Sequence, residues 1–440
     1  MQQQDHVLGR AKGIGALLGL AAALGGCGGG GVGTAQAPSG STPNGISGSA
    51  APTAVIQAQK ADAPVDPAIV AADNAFGLNL LNTLIPGAGG SNVAISPISV
   101  ALALQIVYNG AAGTTQTAMA QTLQFGSLST QALNSDNAAL QGSLINPDPK
   151  VQLTIANSLW MHLASNPVSS SFVQTDETYY GATVGDLSGA PDNVNAWVAG
   201  ETHDLITQIL PPEPPGYYQQ IIAIIANAIY FKGQWTTAFD VTQTSAAPFT
   251  LSDGTQTSAE MMHQTGFYPY LQETWHGTQF QALRIPYGAG RLSMLIVLPN
   301  SGANLSSFVA GMTVDALNSW TAQLQTTSGS IALPRFTSTY GASLPPALTS
   351  LGMGIAFCTS NEADFSALAP LACISDVEHK TVVEVDESGT VAAGATTVTI
   401  GVDAVTEPQF AMTMDHPFFY AIQDDETGEL LFIGVLTNPN

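Results

Sequence analysis

The sequence predicts a mixed helix-and-sheet domain of the α+β class, and three observations carry that prediction. Two segments begin with a capping side chain followed directly by proline, Asp66-Pro67 and Ser96-Pro97, the arrangement that starts a helix. Residues 221–231 (IIAIIANAIYF) are apolar except for Asn227, as expected of a central strand covered on both faces. Shorter apolar runs at 292–298, 382–385 and 430–436 supply further strands. With 440 residues the chain is long enough to bury a large core.

The elements follow in chain order. Arg10 and Lys12 precede an apolar stretch, 13–24, and then Leu24-Gly25-Gly26-Cys27, the layout of an export signal with small residues before the cut. The run is too short for a membrane-spanning helix. A cysteine directly after such a cut resembles the bacterial lipoprotein box. Residues 1–26 are therefore expected to be a lipoprotein-type signal peptide, with Cys27 as the lipidated first residue; an ordinary secretory signal with a chance cysteine is the alternative. Residues 27–66 are mostly Gly, Ser, Thr, Ala and Pro and cannot bury enough surface to offset their ordering entropy, so they read as a flexible tether. The folded domain is expected over 67–440. In its first helix Ile69, Val70, Phe76, Leu80, Leu81 and Leu84 share roughly one face until Pro86-Gly87 ends the run. Residues 93–95 read as a short strand, and the second helix ends at Asn109-Gly110. Val151, Leu153 and Ile155 alternate as a strand.

Charge excludes several functions. Only 9% of residues are charged, against about 25% in average proteins, and the formal net charge is −23. The nine Lys and Arg (Arg10, Lys12, Lys60, Lys150, Lys232, Arg284, Arg291, Arg335, Lys380) form no run or helical face, so nucleic acid, heparin-like polymers and acidic membrane surfaces are not expected as partners. There is no HExxH, no CxxC and no GxSxG elbow, so no metal, no cofactor and no enzymatic activity is expected. Cys358 and Cys373 stand fifteen residues apart. A disulfide is chemically allowed outside the cytoplasm, but the default reading is a buried free pair.

The stretch 388–402 (SGTVAAGATTVTIGV) has neither charge nor proline. One face in steps of two is Thr390, Ala392, Gly394, Thr396, Val398, Ile400 and Val402; the other begins Val391, Ala393, Ala395. Left exposed, it is an aggregation hazard; it makes better sense as a strand awaiting a place in a sheet. Its flanks are ISDVEHKTVVEVDESGT (374–390), MDHPFFYAI (414–422) and LLFIGVLTNP (430–439). These closely resemble the reactive-loop hinge and C-terminal strands of serpins. The segments NVAISPISVALAL (92–104), IANSLW (155–160), VNAWVAGET (194–202), ANAIYFKGQW (226–235), LRIPYGAGRLSMLIVLP (283–299) and ALPRF (332–336) resemble serpin segments too, in family order.

The resemblance implies a serpin fold, helices packed around three β-sheets with an exposed reactive-centre loop at about 387–410. It implies a monomer that forms a covalent acyl complex with a target serine protease and acts as a suicide substrate by loop cleavage and insertion. Glu387, Gly389, Thr390, Ala392, Ala393, Gly394, Ala395 and Thr396 would be the hinge. Their small, uncharged side chains suit rapid entry into a sheet, because a buried unpaired charge there would cost several kcal/mol. Val391 stands where an acid is usual. Ser96, Ser99, Asn227 and His379 would form the shutter, and Trp235 with the Arg335–Glu387 pair the breach. Counting forward from Gly389 puts the specificity residue at Asp403, cleaved before Ala404. Counting back from Asp415-His416-Pro417-Phe418 puts it at Thr406, cleaved before Glu407. Asp403 suits an aspartate-selective protease; Ala404, Val405 or Thr406 suit elastase- or subtilisin-like pockets, and export favours the latter. The alternatives are a non-inhibitory binding serpin and an inhibitor of a cysteine protease. The expected location is the bacterial cell envelope through lipid on Cys27, at the outer membrane in a two-membrane cell, or the exterior.

Overall fold

The computed structural model describes residues 64–145, 147–390 and 407–440. The leader, Cys27 and nearly all of the 27–66 tether lie outside the described residues. So do Ala392, Ala393, Gly394, Ala395, Thr396, Asp403, Ala404, Val405 and Thr406.

Both predicted helix starts form as their caps dictate. Asp66 accepts the Ala68 N–H and opens Pro67–Leu84; Ser96 accepts the Ser99 N–H and opens Pro97–Tyr108. The second helix is buried at all twelve positions, which its apolar perimeter requires. It lies against the apolar segment of the first paragraph, observed as the strand Ala223–Gln234.

That strand is central in a six-stranded sheet. The order is Phe336–Ser343, Asp376–Val385, Gly389–Thr390, Ala223–Gln234, Val151–Met161, Thr183–Asp186. Alternate residues of the central strand serve two cores. Ile225, Ile229 and Phe231 join the main core, whereas Ile224, Ala226 and Ala228 pack with Val194 and Val198 of the helix Asp192–Glu201. The strand is thus covered on both faces, as its composition predicts.

A second hydrogen-bonded system runs Val93–Ile95, Leu430–Leu436, Phe418–Asp424, Leu292–Pro299, Thr278–Tyr287, Gln256–Trp275, Gln325–Pro334, Phe410–Thr413, with Ser245–Thr250 paired beside Gln256–Trp275. The 20-residue strand Gln256–Trp275 pairs in turn with Ser245–Thr250, Gln325–Pro334 and Thr278–Tyr287, and so links what would otherwise be separate sheets. Phe231 joins the two systems, 5.2 Å from Tyr287 and 6.0 Å from Phe432 between ring centroids.

The cysteine expectation is corrected. Cys358 and Cys373 are bonded, with Cα atoms 5.0 Å apart, and both are half-buried rather than buried. The reason is local: Phe357 and Ile374 form a β-bridge and the Cys358 N–H donates to the Ile374 carbonyl at 3.0 Å, which brings the next residues into bonding range. Closing a loop of this size is worth about 3 kcal/mol.

Candidate functional site

The central sheet is closed at one end and split at the other. Asp376–Val385 and Ala223–Gln234 pair directly, in parallel, over five positions from Asp376↔Ile224 to Lys380↔Ala228. Further along, the two-residue strand Gly389–Thr390 lies between them, pairing with Val385 on one side and with Gln234 and Gly233 on the other. Between these contacts residues 381–384 and 229–232 have no ladder partner across the sheet among the described residues.

The turn that feeds this wedge is tightly held. The Asp386 side chain accepts the Ser388 and Gly389 N–H groups at 2.8 and 3.0 Å. Gly389 has φ +152°, and a Cβ there would sit 1.9 Å from the Gly233 carbonyl oxygen, so only glycine fits. Thr390 is 1% exposed and its hydroxyl meets that of Tyr287 at 2.8 Å. Tyr287 stacks on Trp235 (4.4 Å, 11° between planes), and Trp235 donates its indole N–H to the Asp386 carbonyl. Glu387, nearly buried, accepts from Arg335 and, at 2.6 Å, from the Thr244 hydroxyl. Burial pushes its carboxyl up, but the hydrogen bonds from Thr244 and Arg335 outweigh that and hold it below the usual glutamate value.

A polar cluster sits where the closed segment begins. His379 lies in register with Asn227, and Asn227 with Asn157 across the next strand. His379 Nε2 accepts the Ser96 N–H at 3.2 Å, so the ring proton is on Nδ1, which donates to Asn227 Oδ1 at 2.9 Å. That fixes the amide: Asn227 Nδ2 donates to the Ser99 carbonyl (2.8 Å), the Ser99 hydroxyl (2.6 Å) and Asn157 Oδ1 (2.5 Å). The cluster is buried, and burial pushes the His379 imidazole down to about 3, keeping it neutral. Thr381 adds a 2.6 Å bond to the Ala94 carbonyl. A lone amide in an apolar strand would otherwise cost about 1–3 kcal/mol.

Ser96, Ser99, Asn227 and His379 therefore meet in one cluster, and Trp235, Arg335, Glu387, Gly389 and Thr390 in another. Glu407 is exposed, three residues before the strand Phe410–Thr413. Sequence reasoning missed Asn157, Thr244, Tyr287 and Thr381. Asn157 carries the same signal as Asn227, an amide inside a strand, and could have been found by it. Thr244 and Tyr287 are ordinary residues in sequence and acquire their role only from the fold.

Known proteins agree with this architecture. The family model described as serpin (serine protease inhibitor) matches residues 71–439. Human leukocyte elastase inhibitor is 30% identical over 384 residues, 84% of this chain and 98% of that protein. An uncharacterized serpin-like protein of Thermococcus kodakarensis is 32% identical over 387 residues, 84% and 86% respectively. The crystal structure of the thermophilic serpin tengpin in its native state superposes with a TM-score of 0.78 at 27% identity, covering 86% of this chain and 96% of that one. A match of this extent in both sequence and fold means that the chain belongs to the serpin family, a family of protease inhibitors with some non-inhibitory members, and not of enzymes.

Proposed function

We propose that this chain inhibits serine endopeptidases as a suicide substrate. The protease serine attacks a loop carbonyl, the peptide bond breaks, the new amino terminus leaves with the proton, and the acyl ester remains. Entry of the freed loop into the central sheet then outruns hydrolysis of the ester. The observation that carries this reading is the wedge: Gly389–Thr390 is paired on both sides, between the strands Asp376–Val385 and Ala223–Gln234.

Register gives insertion a specific consequence. Thr396 is six residues beyond Thr390, His379 six before Val385, and Asn227 six before Gly233; the last two are already paired with each other. A loop that continues the existing ladder drives Thr396 between His379 and Asn227, so the 2.9 Å bond between them is a latch that must open. The faces agree: Thr390 is buried, and every second residue after it (Ala392, Gly394, Thr396) is small and uncharged.

For the target, residues 381–440 contain no Lys or Arg, which disfavours trypsin-like enzymes. Ala404, Val405 and Thr406 suit elastase- or subtilisin-like pockets, and one relative is named an elastase inhibitor. Mixing the protein with such enzymes should give a complex that survives a denaturing gel; turnover of the loop without any complex contradicts the mechanism. Mass spectrometry of the released C-terminal peptide fixes the bond between Asp403 and Glu407.

Three outcomes follow. Thr390→Arg puts a charge at a position 1% exposed and should shift at least about 90% of encounters from complex to cleaved product, since a buried unpaired charge costs several kcal/mol; an unchanged complex yield argues against insertion. The latch should weaken in acid. His379 takes up a proton near 6.5 when released but only near 3 in the closed sheet, so stability present above 6.5 is lost as pH falls toward 3, at about 1.4 kcal/mol per pH unit. Unfolding midpoints measured across that window should fall more steeply for wild type than for His379→Gln; equal slopes contradict the latch assignment. Finally, Cys27 should carry lipid, on the strength of Leu24-Gly25-Gly26-Cys27 and the tether after it. Cys27→Ser should release the protein from the membrane fraction or block its processing, and an unmodified mature N-terminus elsewhere refutes the anchor.

A further inference from the structure

In a chain of net charge −23, the cations that are not already paired identify where an anion can be held. Among the described residues six are Lys or Arg. Arg284 pairs with Asp425 at 2.9 Å, Arg291 with Asp424 at 2.8 Å, and Arg335 with Glu387. Lys380 donates to the Gln208 carbonyl at 2.8 Å. Lys150 and Lys232 have no such partner among the described residues, and both line one open cavity of about 550 Å³.

The rest of the lining is compatible with an anion. Gln152 lies opposite Lys232 in the ladder, its Nε2 giving one hydrogen to His203 Nε2 at 3.2 Å and keeping a second, and Gln234 follows two residues on, so two amides flank the two ammonium groups. The acid in the lining, Asp148, has both oxygens turned to backbone: Oδ1 accepts the Lys150 N–H at 2.8 Å and Oδ2 the Ala289 N–H at 2.5 Å. It makes no ion pair with either lysine. Lysines act as point charges on flexible stems, which suits a rounded phosphate-type oxyanion; a planar carboxylate would call for the fork of an arginine. Two cations and this volume suit a ligand with more than one phosphate group. The overall negative field does not forbid it, because at physiological ionic strength charges farther than about 8 Å are largely screened.

We infer that Lys150 and Lys232 form a binding site for a small, multiply charged phosphate-class anion, with Gln152 and Gln234 donating to its oxygens. The site adjoins the wedge: the Gln234 N–H donates to the Lys150 carbonyl at 3.2 Å, and Gln234 pairs with Gly389. Binding itself is independent of the inhibitory reading, so the two stand or fall separately.

The test is isothermal titration of the full-length protein with pyrophosphate in about 0.15 M chloride, beside the thermal midpoint with and without the ligand. One-to-one binding is expected, with a raised midpoint. Lys150→Gln and Lys232→Gln should each weaken binding by about tenfold or more, the value of one charge-assisted hydrogen bond. Lys60→Gln, which removes a cation from the tether, should leave binding unchanged. Absence of saturable binding overturns the site, and so does equal affinity in all three variants, which would mark only non-specific attraction.

Discussion

The structure depends on two strands, Ala223–Gln234 and Asp376–Val385, that pair for five positions and are then held apart by a glycine and a threonine. A sheet completes its hydrogen bonds only when each edge meets another. Among the described residues, 381–384 and 229–232 have no partner across the sheet, and a neutral segment continues in sequence directly from Thr390. On the function proposed above, loop cleavage lets the sheet gain pairing that its own sequence can make. That gain is the driving force the proposal gives to inhibition, a kinetic rather than an equilibrium kind of stability.

The wedge is held at both ends by polar contacts. At the open end Arg335, Thr244, Trp235 and the Asp386 turn grip the root of the loop. At the closed end His379 and Asn227 tie the two strands to each other and to the helix Pro97–Tyr108 through Ser96 and Ser99. Hydrogen bonds suit a latch because their directionality makes them all-or-none over short movements, whereas apolar packing yields gradually. A neutral histidine between two defined partners also gives the closed state one proton arrangement.

Much of this was legible in the sequence, for reasons that differ by residue. Asn227 stood out because an amide inside 221–231 demands partners, and the helix caps at Asp66 and Ser96 are local chemistry that folding does not alter. The strand Asp376–Val385 was recognised only over 382–385, because Asp376, Glu378 and Lys380 disguise an alternation whose buried face is Val377, His379, Thr381, Val383 and Val385. Thr244 and Tyr287 come from other elements, 143 and 103 residues from their partners, and no local pattern reports such contacts. The disulfide was missed for the same reason: pairing of Phe357 with Ile374 decides it, not the spacing of the cysteines.

The central claim, that the cleaved loop adds a strand to this sheet, is tested most directly by thermal unfolding before and after a protease cuts the loop between Asp403 and Glu407. Insertion would continue the ladder along Asp376–Val385 through residue 399, adding its hydrogen bonds and burying Val398 opposite Val377, worth roughly 1.5–3 kcal/mol for that side chain alone. At a few degrees per kcal/mol, the cleaved protein should unfold at least about 10 °C above the intact one. An unchanged or lowered midpoint would mean that the loop is an ordinary exposed connection and that the sheet is already complete.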